Sequence, residues 1–198
     1  MNNLIFDTET TGLPKRIGWD RYHPYNQTQN YNGCRIVSIC WNLYKDENKI
    51  NSNYHIIKPV DYKIDNKSIA CKINGITQEI AIEQGIDINE MFDLLKKDLE
   101  QCETIVAHNL LFDKHILLAE LFRNNREDII KLFLDKKTYC TMQFSKNLLK
   151  IKMKYGGFKS PKLIELYKFF FNVEFENAHS ADADVDACAK CYFKMIAS

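Results

Sequence analysis

Phe6-Asp7-Thr8-Glu9-Thr10-Thr11-Gly12 closes a short apolar run that begins at Leu4. Alternate residues of a strand point to one face, so a strand over Leu4 to Thr8 sets the Asp7 and Glu9 carboxylates side by side. Two like charges a few Å apart repel by about 1 to 4 kcal/mol, depending on the local dielectric, and a protein relieves this with a proton or a cation. A divalent metal is the natural relief. The pair alone leaves a second alternative open, a solvated strand end.

Outward from this strand, Ile36 to Tyr44 reads as a second strand and Tyr54 to Lys58 as a third, with Lys45-Asp46-Glu47-Asn48-Lys49 as the polar turn between them. Three early strands with a tight turn predict an antiparallel meander. Beyond Pro59 the period becomes helical. Glu90 to Gln101 places Met91, Phe92, Leu94, Leu95 and Leu99 on one face, and Thr104 to Ala107 is a short apolar strand leading into another helix. That helix begins near Asn109, a residue type suited to an N-cap. It sends Phe112, Ile116, Leu117 and Leu121 toward a core and carries Asp113 in its first turn. Thr138 to Met142 reads as a last short strand, Pro161 to Phe171 as a helix and Ala181 to Ala197 as the closing helix. Strands first and alternation afterwards predict an α/β or mixed α+β three-layer domain.

The 198 residues suit one domain, 1–198, with a substantial core. With 45% hydrophobic and 27% charged residues the chain has the mix of an ordinary soluble protein. A net charge of +1 excludes a general nucleic-acid coat, so any nucleic-acid contact is expected to be local or mediated by bound cations. No stretch approaches the roughly 18 apolar residues of a membrane span, and the run before Asp7 is too short for a signal peptide. A cytoplasmic protein without a membrane partner is expected. The 7 cysteines lie mostly inside apolar segments, where cysteine acts as a small hydrophobe. Cys188-x-x-Cys191 has no second pair and falls in a helical pattern, which favours core packing over zinc.

Two stretches are irregular. Pro14 to Gly33 is a long polar and aromatic loop with Trp19, Tyr22, Tyr25 and Tyr31, and it follows the carboxylate pair directly. Lys136 to Lys162 holds eight lysines and no acid, either a solvated face or a patch for a phosphate backbone.

The pair gains meaning from His108-Asn109-Leu110-Leu111-Phe112-Asp113 and His179-Ser180-Ala181-Asp182-Ala183-Asp184, each of which places an acid in the opening turns of a helix. Jointly the three segments resemble the DnaQ-like exonucleases of the DEDDh group, in the RNase H-like superfamily. Phe-Asp-Thr-Glu-Thr-Thr-Gly is similar to the first exonuclease motif, Ala-His-Asn-Leu-Leu-Phe-Asp to the second, and His179 five residues before Asp184 to the third. Ile73-Asn74-Gly75-Ile76-Thr77 resembles a family connector. Pro161-Lys162-Leu163 with Glu165-Leu166-Tyr167 and Ala178-His179 resembles a bacterial and phage branch, although Ser160 stands where that branch often has an aromatic residue. The resemblance implies an α/β, RNase H-like three-layer fold with a central mixed five-stranded sheet flanked by helices.

The chemistry suits these residue types. Cleaving a phosphodiester near neutral pH needs a nucleophile stronger than water and a sink for charge on the phosphate and leaving oxygen. Two divalent ions about 3.5 to 4 Å apart supply both. Mg²⁺ or Mn²⁺ takes oxygen ligands, which carboxylates offer and thiols do not. By the resemblance, Asp7, Glu9 and Asp184 hold the two ions with Asp7 bridging, Asp113 binds the second directly or through water, and His179 takes the proton from the attacking water. A histidine with an ordinary pKa near 6.5 serves as such a base. Asp182, Asp184 and Asp186 alternate, and the offset from His179 favours Asp184, leaving Asp182 to the helix N-terminus and Asp186 exposed. Thr10, Thr11, Gly12 and Leu13 follow the pair and are expected at the 3' end, with Leu13 as a wedge beside the last base. Phe112 either stacks on a base or packs the core. His108 and Asn109 are candidate substrate contacts, with a structural cap favoured for Asn109.

The resulting expectation is a metal-dependent 3'-5' exonuclease that releases nucleoside 5'-monophosphates from single-stranded DNA. The same chemistry on RNA is the nearest alternative, because the distinction rests on tolerance of a 2'-OH. Thr-Glu-Thr-Thr-Gly favours the DNA-polymerase epsilon-like side of the family. An inactive module that binds nucleic acid or a polymerase is the alternative of another class. A polymerase partner is compatible with the motifs, but the chain carries no evident docking tail for one.

Overall fold

The computed structural model describes residues 1–18, 21–175 and 181–197. Strands β1 (Asn2–Thr10), β2 (Ile36–Lys45), β3 (Asn48–Ile56), β4 (Thr104–Ala107) and β5 (Lys137–Cys140) form one sheet in the spatial order β3-β2-β1-β4-β5. The first three pair antiparallel as a meander, whereas β4 runs parallel to β1 and β5 parallel to β4. This is the mixed five-stranded sheet that the resemblance implies. The helices among the described residues are α1 (Ile69–Asn74), α2 (Gln78–Gln84), α3 (Ile88–Gln101), α4 (Leu110–Arg123), α5 (Glu127–Leu134), α6 (Thr141–Leu149), α7 (Leu163–Phe171) and α8 (Ala181–Ile196).

The alternation of β1 decides the layers. Leu4 and Phe6 enter a core with Trp41, Met91, Phe92, Leu117 and Phe133, so α3, α4 and α5 cover that face. Ile5 points the other way, against Cys40, Val106, Val185 and Tyr192, so α8 covers the opposite face. Each such large side chain taken from water contributes about 1.5 to 3 kcal/mol. Outside α8, α7 packs through Leu166 and Tyr167 against Ala187 and Cys191. All seven cysteines are buried and free, Cys188 and Cys191 in the packing of α8, as their helical setting predicts.

Several boundaries differ from the sequence expectation, and three of the differences have a physical reason. The third strand is Asn48–Ile56, earlier than Tyr54 to Lys58, and the turn shrinks to Asp46 and Glu47. It is an edge strand with little of its surface buried, so its first half has no apolar signature. The last strand stops at Cys140, and Thr141 and Met142 open α6 instead. The helix expected from Pro161 starts at Leu163, where Glu165 Oε2 accepts from the Lys162 backbone amide at 2.8 Å and satisfies one donor at the helix start.

Candidate active site

Asp7 and Glu9 share the α8 face of β1 with Ile5, and α8 brings Asp184 to them in its first turn. One carboxylate oxygen of each of Asp7, Glu9 and Asp184 lies within 4.8 Å of the others, and all three residues are half-buried. Thr8 points to the opposite face, where Asp113 arrives from the first turn of α4. Asp113 Oδ1 accepts from the Thr8 amide at 3.1 Å and from the Thr8 hydroxyl at 2.7 Å. The strand thus presents two acids to one layer and grips a third through its neighbour.

The electrostatics follow. Burial, then the charges of Asp113, Glu9 and Asp184, push the Asp7 carboxyl well above its ordinary range. Burial and the charges of Asp184 and Asp113 raise Glu9 to about 7. Burial raises Asp113 to about 7, although the two bonds from Thr8 favour its ionised form. A protein without relief for such a cluster holds protons there; a divalent cation displaces them. The donor set fits a hard ion, since all three ligand atoms are carboxylate oxygens. The nearby thiols do not compete, because burial keeps Cys188 protonated and pushes Cys40 up to about 12.

The remaining site residues fall in distinct places. The Thr10 hydroxyl donates to the Gly12 carbonyl at 2.7 Å, and the Thr11 amide donates to the Arg35 carbonyl at 2.9 Å. The Thr11 hydroxyl bonds the Gly33 carbonyl at 3.2 Å. Gly12 passes so close to the long loop that a Cβ there would stand 2.8 Å from the Gly33 carbonyl oxygen, which explains the glycine. Leu13 is 74% exposed beyond this turn. Phe112 is half-buried against the core and packs its edge on Tyr22, with ring centroids 6.4 Å apart.

His108 is locked. Its Nε2–H donates to the Pro161 carbonyl at 3.0 Å and its Nδ1 accepts from the Thr141 hydroxyl at 2.9 Å. Burial lowers its pKa to about 4, so the ring is neutral at physiological pH. Asn109 corrects the expectation of a side-chain cap: it adopts the left-handed conformation with φ 69°, and its side chain makes no cap bond. Asp186 corrects another. It is not simply exposed, for it accepts from Asn42 Nδ2 at 2.8 Å and Lys49 Nζ at 2.6 Å. His179, the expected general base, lies outside the described residues.

A cavity of about 620 Å³ opens on this cluster, lined by Asp7 and Asp184 on one side and by Met142, Ser160, Pro161 and Phe175 on the other. Sequence reasoning did not identify Thr8 as the partner of Asp113; its alternation relative to Asp7 was the available signal, but the bond spans 105 positions. Acids thus gather at the carboxyl end of β1 and beside β4, in a cleft between layers of an RNase H-like fold.

The comparisons make this specific. The RNase T-type exonuclease family model matches residues 4–192, and the chain belongs to that family of DnaQ-like exonucleases. Escherichia coli exonuclease I, solved with a dT13 oligonucleotide, is similar with a TM-score of 0.71 at 20% identity over 98% of this chain and 40% of that one. Its zinc-bound complex with single-stranded DNA gives 0.67 at 19% identity, over 97% of this chain and 40% of that one. Exonuclease X, solved with 5'-overhanging duplex DNA, gives 0.58 at 19% identity over 98% of this chain and 92% of that one. The chain therefore spans about two fifths of exonuclease I and nearly all of exonuclease X. No curated protein matches the chain.

Proposed function

We propose that this chain is a metal-dependent 3'-5' exonuclease of the DEDDh type, releasing nucleoside 5'-monophosphates from single-stranded DNA 3' ends. The observation that carries the reading is the convergence of Asp7, Glu9 and Asp184 within 4.8 Å, with Asp113 held beside them by Thr8. Family membership and the DNA complexes of similar folds support it. Asp7, Glu9 and Asp184 would hold a divalent ion, with Asp113 serving a second. Bound there, such ions supply activated water and charge neutralisation at the phosphate.

The chain's own residues do the rest. His179 takes the proton of the attacking water, a role that contributes about 10² to 10⁴ in rate. Leu13, exposed beyond the Gly12 turn, wedges beside the terminal base. Phe112, half-buried, bounds the same end. Thr8 orients Asp113.

End-labelled single-stranded DNA, duplex DNA and RNA digested side by side with Mg²⁺, Mn²⁺ or EDTA test the reading. Stepwise shortening of single-stranded DNA from its 3' end is expected with either metal and not with EDTA, and Asp7→Ala and His179→Ala should each abolish it without unfolding the protein. Full activity of either variant would overturn the assignment, and faster digestion of RNA would move the substrate class.

A further inference from the structure

The cleft over the carboxylates continues. A second cavity of about 730 Å³ adjoins it, sharing Asn109, Met142 and Ser160 as common wall. Where the first part is lined by Asp7 and Asp184, the second carries Arg16 and Lys146, and no acid lines it among the described residues. Both cations are exposed and come from different elements. Lys146 projects from α6, inside the acid-free lysine stretch from 136 to 162. Arg16 belongs to the long loop after Gly12, and its position is built. Arg16 and Tyr22 form an isolated antiparallel bridge, and the Ile17 amide donates to the Arg21 carbonyl at 2.7 Å. The Arg16 guanidinium lies over the Tyr22 ring at 5.2 Å and donates to its hydroxyl at 3.2 Å. Tyr22 in turn packs on Phe112 and His115 of α4, the helix that carries Asp113.

We propose that this second cavity is a groove for the single strand upstream of its terminal nucleotide, with Arg16 and Lys146 as its phosphate contacts. The inference rests on the exonuclease reading and deepens it. A strand whose terminal phosphodiester meets the acid cluster must leave along a surface of opposite sign, and the adjoining groove has that sign. Contacts of this kind read phosphate and not sequence, so the groove sets affinity and length dependence without choosing bases. It also gives a task to the Pro14–Gly33 loop: the Tyr22 anchor ties one wall of the groove to α4.

Fluorescence anisotropy with labelled oligothymidylate and oligoadenylate of roughly twelve nucleotides, in EDTA, measures strand binding apart from turnover. Arg16→Ala and Lys146→Ala should each weaken both strands about three- to tenfold and lower the slope of log K against log salt by about 0.7. Arg16→Lys should recover part of the loss. In turnover with Mg²⁺, each alanine variant should lower the ratio of kcat/KM for the long strand to that for the p-nitrophenyl ester of thymidine 5'-monophosphate, which has no upstream strand. Unchanged affinity and salt slope in both alanine variants would overturn the groove. These losses in the alanine variants, together with no hydrolysis by the wild-type protein, would overturn the exonuclease reading and leave the groove standing.

Discussion

Thr8 makes a buried carboxylate, that of Asp113, tolerable. A hydrogen bond to a charged group contributes about 1.5 to 3 kcal/mol, and the hydroxyl supplies one of the two bonds to Oδ1. Thr8→Val should therefore cost about 1 to 3 kcal/mol in denaturant unfolding at pH 8, and Thr8→Ser should recover most of it. Equal stability of the valine and serine variants would sink this role. His108 makes a prediction of opposite character. Its folded pKa of about 4 lies below the ordinary histidine value, so its contribution is complete above pH 6.5 and is lost as pH falls from there toward 4, where protonation favours the unfolded chain. In His108→Gln, the fall of melting temperature between pH 6.5 and pH 4 should be shallower than in the wild type, and identical slopes would refute it.

At the scale of elements, β3 is held by a carboxylate. Asp98 on α3 is 3% exposed and accepts from Trp41 Nε1 at 2.7 Å and from Asn51 and Asn53 Nδ2 of β3 at 2.8 and 3.2 Å. Asp98→Ala leaves a buried indole N–H and two strand amides without their acceptor, so a loss of about 3 to 5 kcal/mol is expected in urea unfolding. A loss below about 1 kcal/mol would show that water replaces the carboxylate. This clamp also explains what was legible. Leu4 to Thr8 declared itself because an apolar run buried on both faces ends in an acid, and Thr104 to Ala107 because a short strand buried on both faces is mostly apolar. The first half of β3 was illegible because asparagines hold it through a residue 45 or more positions away. The α6 boundary was lost for a different reason. Thr141 reads as strand by propensity, yet its hydroxyl is placed by His108, a tertiary partner.

Across the whole molecule, the acid motifs were legible because the chemistry demands one residue type at each position. The lysine stretch could be read as a phosphate patch, but not that Lys146 lines one cavity with Arg16, which follows from the packing of a loop on α4 and from the fold around α6. The acids make stability depend on pH. Glu9 and Asp113 have folded values near 7, and Asp7 lies well above its ordinary range, so each holds its proton more tightly folded than unfolded. Their contribution is complete below the unfolded values near 4 and is lost as pH rises through about 7. Metal-free protein should therefore be penalised at pH 8 relative to pH 5.5 by this cluster. A divalent ion that binds only the folded state reverses the penalty, by about 2.7 kcal/mol at a hundredfold excess over its dissociation constant. For a chain of this size that is a rise of roughly 5 to 10 °C in melting temperature. The rise on adding Mg²⁺ or Mn²⁺ in place of EDTA should be large at pH 8, small at pH 5.5 and diminished in Asp184→Asn. A melting temperature at pH 8 indifferent to both ions would remove the metal from the site, and with it the hydrolytic role of the carboxylates.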